Sequence, residues 1–155
     1  MWTWLNANSD AFQAIGNIIQ IPALIILIIT LCLAIRQLKV SISQTQGNTV
    51  SHIAETGRNL FLKAMGDRDL EVIFQSSPKV SNEEKVNQFI GVLIQHYSHA
   101  FSQRKLKNIP DYFWAEIVRD AKTFFKMDLV KKKRNHIVQY YDPDFAKFVD
   151  EIIDS

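Results

Sequence analysis

A chain of 155 residues with 18 Lys+Arg against 16 Asp+Glu, a net charge of +2, is too mildly basic to grip duplex nucleic acid by charge, so no duplex partner is expected. Its one cysteine, Cys32, lies inside the longest apolar run, which excludes a disulfide framework or a Cys-based zinc site within one chain.

That apolar run sets the broad class. From Ala14 to Ile35 the sequence reads AIGNIIQIPALIILIITLCLAI, 22 residues without a formal charge. A helix needs about 20 such residues to cross a bilayer core. One transmembrane helix is predicted over 11–36. A cleaved signal peptide fits less well, because no basic stretch precedes the run and no A-x-A-like site follows it. The segment before it holds Asp10 and no Lys or Arg, whereas Arg36 and Lys39 follow it. Positive residues stay on the cytoplasmic side, so 1–10 is expected outside and the C-terminal bulk inside. Trp2 and Trp4 then serve as aromatic anchors in the outer interface.

Leading into and through the membrane segment, Asn6, Asp10, Gln13, Asn17 and Gln20 recur at three- and four-residue steps, which keeps them within a stripe of about 80°. Amides in a span are costly unless they meet a partner or water, so Gln13, Asn17 and Gln20 are the expected oligomerisation or pore face. A merely wet outer end of the helix also explains Asn6 through Gln13. Pro22 is expected to kink the helix.

After the span, SISQTQGNT is polar and contains Gly47, so 37–48 reads as a juxtamembrane linker or a weak point in one long helix. Residues 49–155 read as one cytosolic helical domain. Val50, Ile53, Ala54, Gly57, Leu60, Phe61 and Ala64 make one apolar face, which Gly66 ends. DRDLEVIF supports a short helix at best, closed off by Pro78. Ser81 and Glu84 have capping-box spacing at the head of a helix whose stripe runs from Val86 through Phe101. Pro110 opens another helix, with Phe113, Trp114, Ile117, Ala121, Phe124 and Phe125 on one side. A further helix is predicted from Asp128 to Tyr141, and a last one from Asp142-Pro143 that buries Phe145, Phe148, Val149 and Ile152. No segment alternates long enough to be a strand. The fold class is therefore all-α, one N-terminal transmembrane helix followed by a bundle of five or six helices.

Candidate chemistry is sparse. His96 and His99 form an i, i+3 pair, but no third or fourth metal ligand stands at a matching spacing, and no P-loop, G-x-S-x-G, Rossmann or H-E-x-x-H pattern occurs. A non-enzymatic protein without cofactor or metal is expected; a hydrolase would have to draw on His96 or His99.

The strongest local signal is VKKKRNH, Val130 to His136. On a continuous helix Ile137 falls about 20° behind Val130, Lys133 about 60° behind it and Arg134 about 40° ahead of it. Lys131 and Lys132 then face solvent, while Lys133 and Arg134 point toward the packed side. Three resolutions are open: the stems snorkel, they pair with carboxylates of the acidic end YYDPDFAKFVDEIIDS, or they line an anion site. Arg104, Lys105 and Lys107 form a second cluster. Lys131, Lys132, Lys133, Arg134 and His136, with Arg104, Lys105 and Lys107, are the candidate anion ligands.

This layout of membrane helix, helical domain and basic groups resembles the small membrane effectors of bacterial antiviral systems, in particular type III CRISPR accessory proteins that sense cyclic oligoadenylate. The resemblance implies a bacterial inner-membrane protein in contact with membrane lipid and a cyclic oligonucleotide ligand. It further implies a symmetric homo-oligomer, expected as a tetramer, whose membrane helices rearrange on binding. The chain is similar as well to bacterial proteins with one N-terminal span and an aromatic-rich helical domain, a resemblance that implies no activity. The alternative to the effector reading is a single-pass membrane adaptor whose helical domain docks a protein partner.

Overall fold

The computed structural model describes residues 9–74 and 82–154, with side chains placed for these residues except 9–21 and Val138. Among the described residues every regular element is helical: α1 Ser9–Met65, α2 Arg68–Glu71, the 3₁₀ turn Val72–Phe74, α3 Glu83–Lys105, α4 Asp111–Phe125, α5 Asp128–Lys131, α6 Arg134–Tyr140 and α7 Pro143–Asp154. The chain divides into two units, Met1–Gln44 and Thr45–Ser155.

In the first unit the stretch of α1 from Pro22 to Ile35 carries no charged and no amide side chain. From Leu24 to Ile42 its large aliphatic side chains stand exposed, and an 18-residue window reaches a mean hydropathy of 2.2 with none of it buried. This is the one helix among the described residues long and apolar enough to cross a membrane. Pro22 lies inside it, and the Thr30 hydroxyl donates to the Ile26 carbonyl at 2.8 Å, which satisfies that polar group locally. Gln13, Asn17 and Gln20 fall within α1, but their side chains lie outside the described ones, as do Trp2, Trp4 and Asn6 entirely.

The expected linker at 37–48 is helical throughout. Gly47 lowers helix propensity by only about 1 kcal/mol, and no proline follows it before the helix ends at Met65, after which the Gly66 N–H bonds the Leu62 carbonyl at 2.9 Å.

The second unit is a helical bundle. Its main core joins Phe89, Ile90 and Ile94 of α3, Phe125 of α4 and Phe145 and Val149 of α7, all buried, and a smaller cluster joins Ile53, Ala100, Ile109 and Ile117. The stripes read from α3, α4 and α7 are the buried faces. Two local readings change. The cap of α3 is Asn82, whose side chain accepts from the Lys85 N–H at 3.1 Å, while Ser81 lies outside the described residues. Pro110 sits at the N-cap of α4, one residue ahead of its first turn.

The α3–α4 loop turns through Lys107, which adopts φ 61°. Lys107 N–H bonds the Arg104 carbonyl at 2.9 Å and Asn108 N–H the Gln103 carbonyl at 3.0 Å, the pair of bonds of a Schellman stop in which glycine is the usual residue. Lys107→Gly is expected to raise stability by about 1 kcal/mol by relieving the left-handed strain. Thermal unfolding of the detergent-solubilised chain checks it, with the gain seen as a higher midpoint.

Candidate functional site

The predicted Asp128–Tyr141 helix is two short helices. Lys133 N–H reaches back only three residues to the Val130 carbonyl, at 2.8 Å, and Ile137 N–H then restarts the ladder on the Lys133 carbonyl at 3.0 Å. Val130 and Ile137 are both 1% exposed, so the two anchors keep their faces while the cations between them do not. Lys133 is half-buried, but Arg134 is exposed, contrary to the continuous-helix geometry.

Arg134 Nε donates to Asp150 Oδ1 at 2.7 Å, so pairing with the acidic terminal segment is the resolution realised there. That ion pair raises the Arg134 pKa and lowers that of Asp150. Lys105 Nζ bonds Asp144 Oδ2 at 2.6 Å with Asp142 at 3.7 Å, and Arg104 grips both Asp111 and the Ile109 carbonyl. Such solvent-exposed pairs add little to stability, so their importance is to occupy the cations. Asp144 and Asp150 are six residues apart on α7, about 120° around the helix, so the two basic clusters meet α7 on different flanks rather than merging.

Lys131, Lys132, Lys133 and Lys107 have no ion pair among the described residues. His136 and Tyr140 are exposed beside the lysine turn, with ring centroids 4.6 Å apart.

A second place was hidden in the sequence. Ala54 and Phe61 belong to the periodic apolar face of α1, yet both are exposed, Phe61 by 52%. They line a cleft of about 600 Å³ with Gly57 and Arg58 of α1, Leu93, His96 and Tyr97 of α3, and Phe113, Glu116, Asp120 and Phe124 of α4. Phe74 closes one side against Phe61, ring centroids 5.9 Å apart, and Tyr97 stacks on Phe124 at 5.3 Å. The wall is apolar and aromatic, and Arg58, Glu116 and Asp120 add charge. A hidden signal was Gly57: a Cβ there would stand 3.2 Å from His96 Nε2, so the glycine lets α3 approach α1 at the cleft.

His96 also borders a smaller hollow of about 310 Å³ with His52, Thr56, Gln95 and His99, where the His52 and His99 rings lie 6.4 Å apart. Among the described residues no three ligands are placed to hold a metal ion. Burial pushes the His96 pKa below its ordinary 6.5, and the neighbouring His99 and His52 lower it further, whereas burial pushes the Tyr97 phenol up. The folded chain thus keeps His96 neutral where the unfolded chain is charged. The stability this gives is full above pH 6.5 and is lost as pH falls below it. Unfolding midpoints followed across that window are expected to fall on acidification, and His96→Gln to flatten the decline.

No protein-family model, curated protein or solved structure matches the chain at a significant level.

Proposed function

We propose that the chain is a membrane-tethered, non-catalytic binding protein whose helical domain receives a partner in the α1–α3–α4 cleft. The observation that carries this reading is the cleft itself: a largely apolar wall with Phe61 and Phe74 left uncovered by the described residues beside a few placed charges, the usual make-up of a binding site. An amphipathic segment of a partner protein would lay its apolar face against these rings. The anchor reading rests on the uncovered apolar length of α1, with the positive flank on the side of the domain.

A photo-crosslinking residue at Phe61 in the full-length protein, expressed in cells, tests it. One discrete adduct is expected at position 61, none at Lys131, and loss of the adduct on Phe74→Asp. Equal, diffuse labelling at both positions would sink the reading.

The lysine turn favours a second reading, the anion-responsive membrane effector. Three lysines without an ion pair among the described residues, beside the exposed His136 and Tyr140 rings, offer phosphate and base contacts to a nucleotide-like ligand, a cyclic oligoadenylate being the best candidate. A symmetric homo-oligomer would multiply that modest site. This reading predicts salt-sensitive binding of cyclic oligoadenylates by the full chain that Lys131→Glu/Lys132→Glu/Lys133→Glu removes; no binding at low salt for any ring size refutes it.

A further inference from the structure

The α3–α4 loop keeps its shape without Leu106 or Tyr112. The two Schellman bonds fix its backbone, the Asn108 amide donates to Gln103 Oε1 at 2.8 Å, and Arg104 Nη1 donates to the Ile109 carbonyl at 2.8 Å. Ile109 alone packs inward, 1% exposed. Leu106 and Tyr112, at the two ends of this stapled turn, are 66% and 68% exposed. Two large side chains held out on a rigid loop have no packing role that accounts for them.

Gln46 Nε2 donates to the Lys107 carbonyl at 2.9 Å, which fastens the loop to a residue ten positions after Arg36, the first charge beyond the apolar run. Ten residues reach at most about 36 Å even when fully extended. Chain connectivity therefore keeps the loop within that reach of whatever bilayer surface the apolar run leaves.

We infer that Leu106, Lys107 and Tyr112 dock the loop on the headgroup layer of the bilayer. Leu106 and Tyr112 enter the interface, where amphipathic rings favour the boundary between water and acyl chain, and Lys107 meets the phosphate oxygens. The inference rests on the membrane-anchor reading. Arg104 is held by Asp111 and Lys105 by Asp144 and Asp142, so Lys107 is the loop cation without an ion pair among the described residues. Docking is thus led by apolar insertion and depends little on anionic lipid or salt.

The test uses the full chain in lipid nanodiscs of phosphatidylcholine, with and without phosphatidylglycerol, carrying one nitroxide at a time. Labels sit at native Cys32 or, in a Cys32→Ser background, at Leu106→Cys or Lys131→Cys. Power saturation compares collisions with oxygen and with a water-soluble nickel chelate. The Leu106 label is expected to show an oxygen-to-nickel ratio several-fold above the Lys131 label in both lipids, and Tyr112→Asp to bring it down to the Lys131 level. Equal ratios at Leu106 and Lys131, with the Cys32 label deep in hydrocarbon, overturn the docking while leaving the anchor intact. A Cys32 label in water overturns both. Dipolar broadening between Leu106 labels would show that a second copy covers the loop, and likewise overturns it.

Discussion

Phe145→Ala is expected to destabilise the domain by about 3–5 kcal/mol, the range for removing a buried phenylalanine and leaving a cavity. Phe145 is 0% exposed and its ring lies within 6.3 Å, centroid to centroid, of Phe101, Phe125, Tyr141 and Phe148, so one side chain ties α7 to α3, α4 and the end of α6. The surrounding rings are too large and too mutually packed to collapse into the space it leaves. Since small domains are stable by only about 5–15 kcal/mol, the change should take a large share of the total. Denaturant unfolding of the full chain in mild detergent measures it, and Tyr112→Ala, at a 68% exposed position, should stay within about 0.5 kcal/mol of the parent. A loss below about 1 kcal/mol at Phe145 would mean that α7 is not packed where the aromatic cluster puts it.

Phe145 was legible in the sequence because a stripe at helical spacing shows which face an element buries. The same logic found Ile117, Ala121 and Phe125 on α4 and Val86, Ile90 and Leu93 on α3. It failed at Phe61 for a reason that spacing cannot hold. Periodicity says which face is apolar, not whether enough neighbouring chain exists to cover it. Among the described residues the α1 face is closed over Ile53 and Ala64 but left open at Ala54 and Phe61, and that opening is the cleft.

The basic cluster failed differently. The phase argument needed an unbroken helix from Val130 to Arg134, and a single three-residue hydrogen bond at Lys133 resets the phase. No proline or glycine marks the break, because Val130 and Ile137 seven residues apart satisfy the core with or without it. Pairing was partly legible: the acidic end of the chain was a visible partner for Arg134, whereas Lys105 with Asp144 spans 39 residues and depends on the tertiary fold alone. Cations that sequence groups as one anion site are thereby separated into paired residues on two flanks of α7 and a lysine turn that no described carboxylate occupies.

Ile25→Arg should lower membrane insertion by about 3–4 kcal/mol, since arginine at the centre of a span costs about 2.5–3.5 kcal/mol and the lost isoleucine contributed about 0.3–0.6. Ile25 lies near the middle of the 22-residue run and is 52% exposed, so no described side chain of its own unit shelters the new charge. The run already carries Asn17, Gln20 and Pro22, which narrows the margin its leucines and isoleucines provide. Leu38→Arg is the control: it lies beyond Arg36, on the flank where positive charge is favoured, and should leave insertion unchanged. The fraction of protein that resists alkaline extraction from membranes separates the two, with a drop of several hundredfold in the insertion equilibrium at Ile25. Equal retention of both variants would show that α1 is held by something other than a bilayer. The cleft would then belong to a protein that uses its apolar helix against a partner chain, since the exposed side chains from Leu24 to Ile42 require one cover or the other.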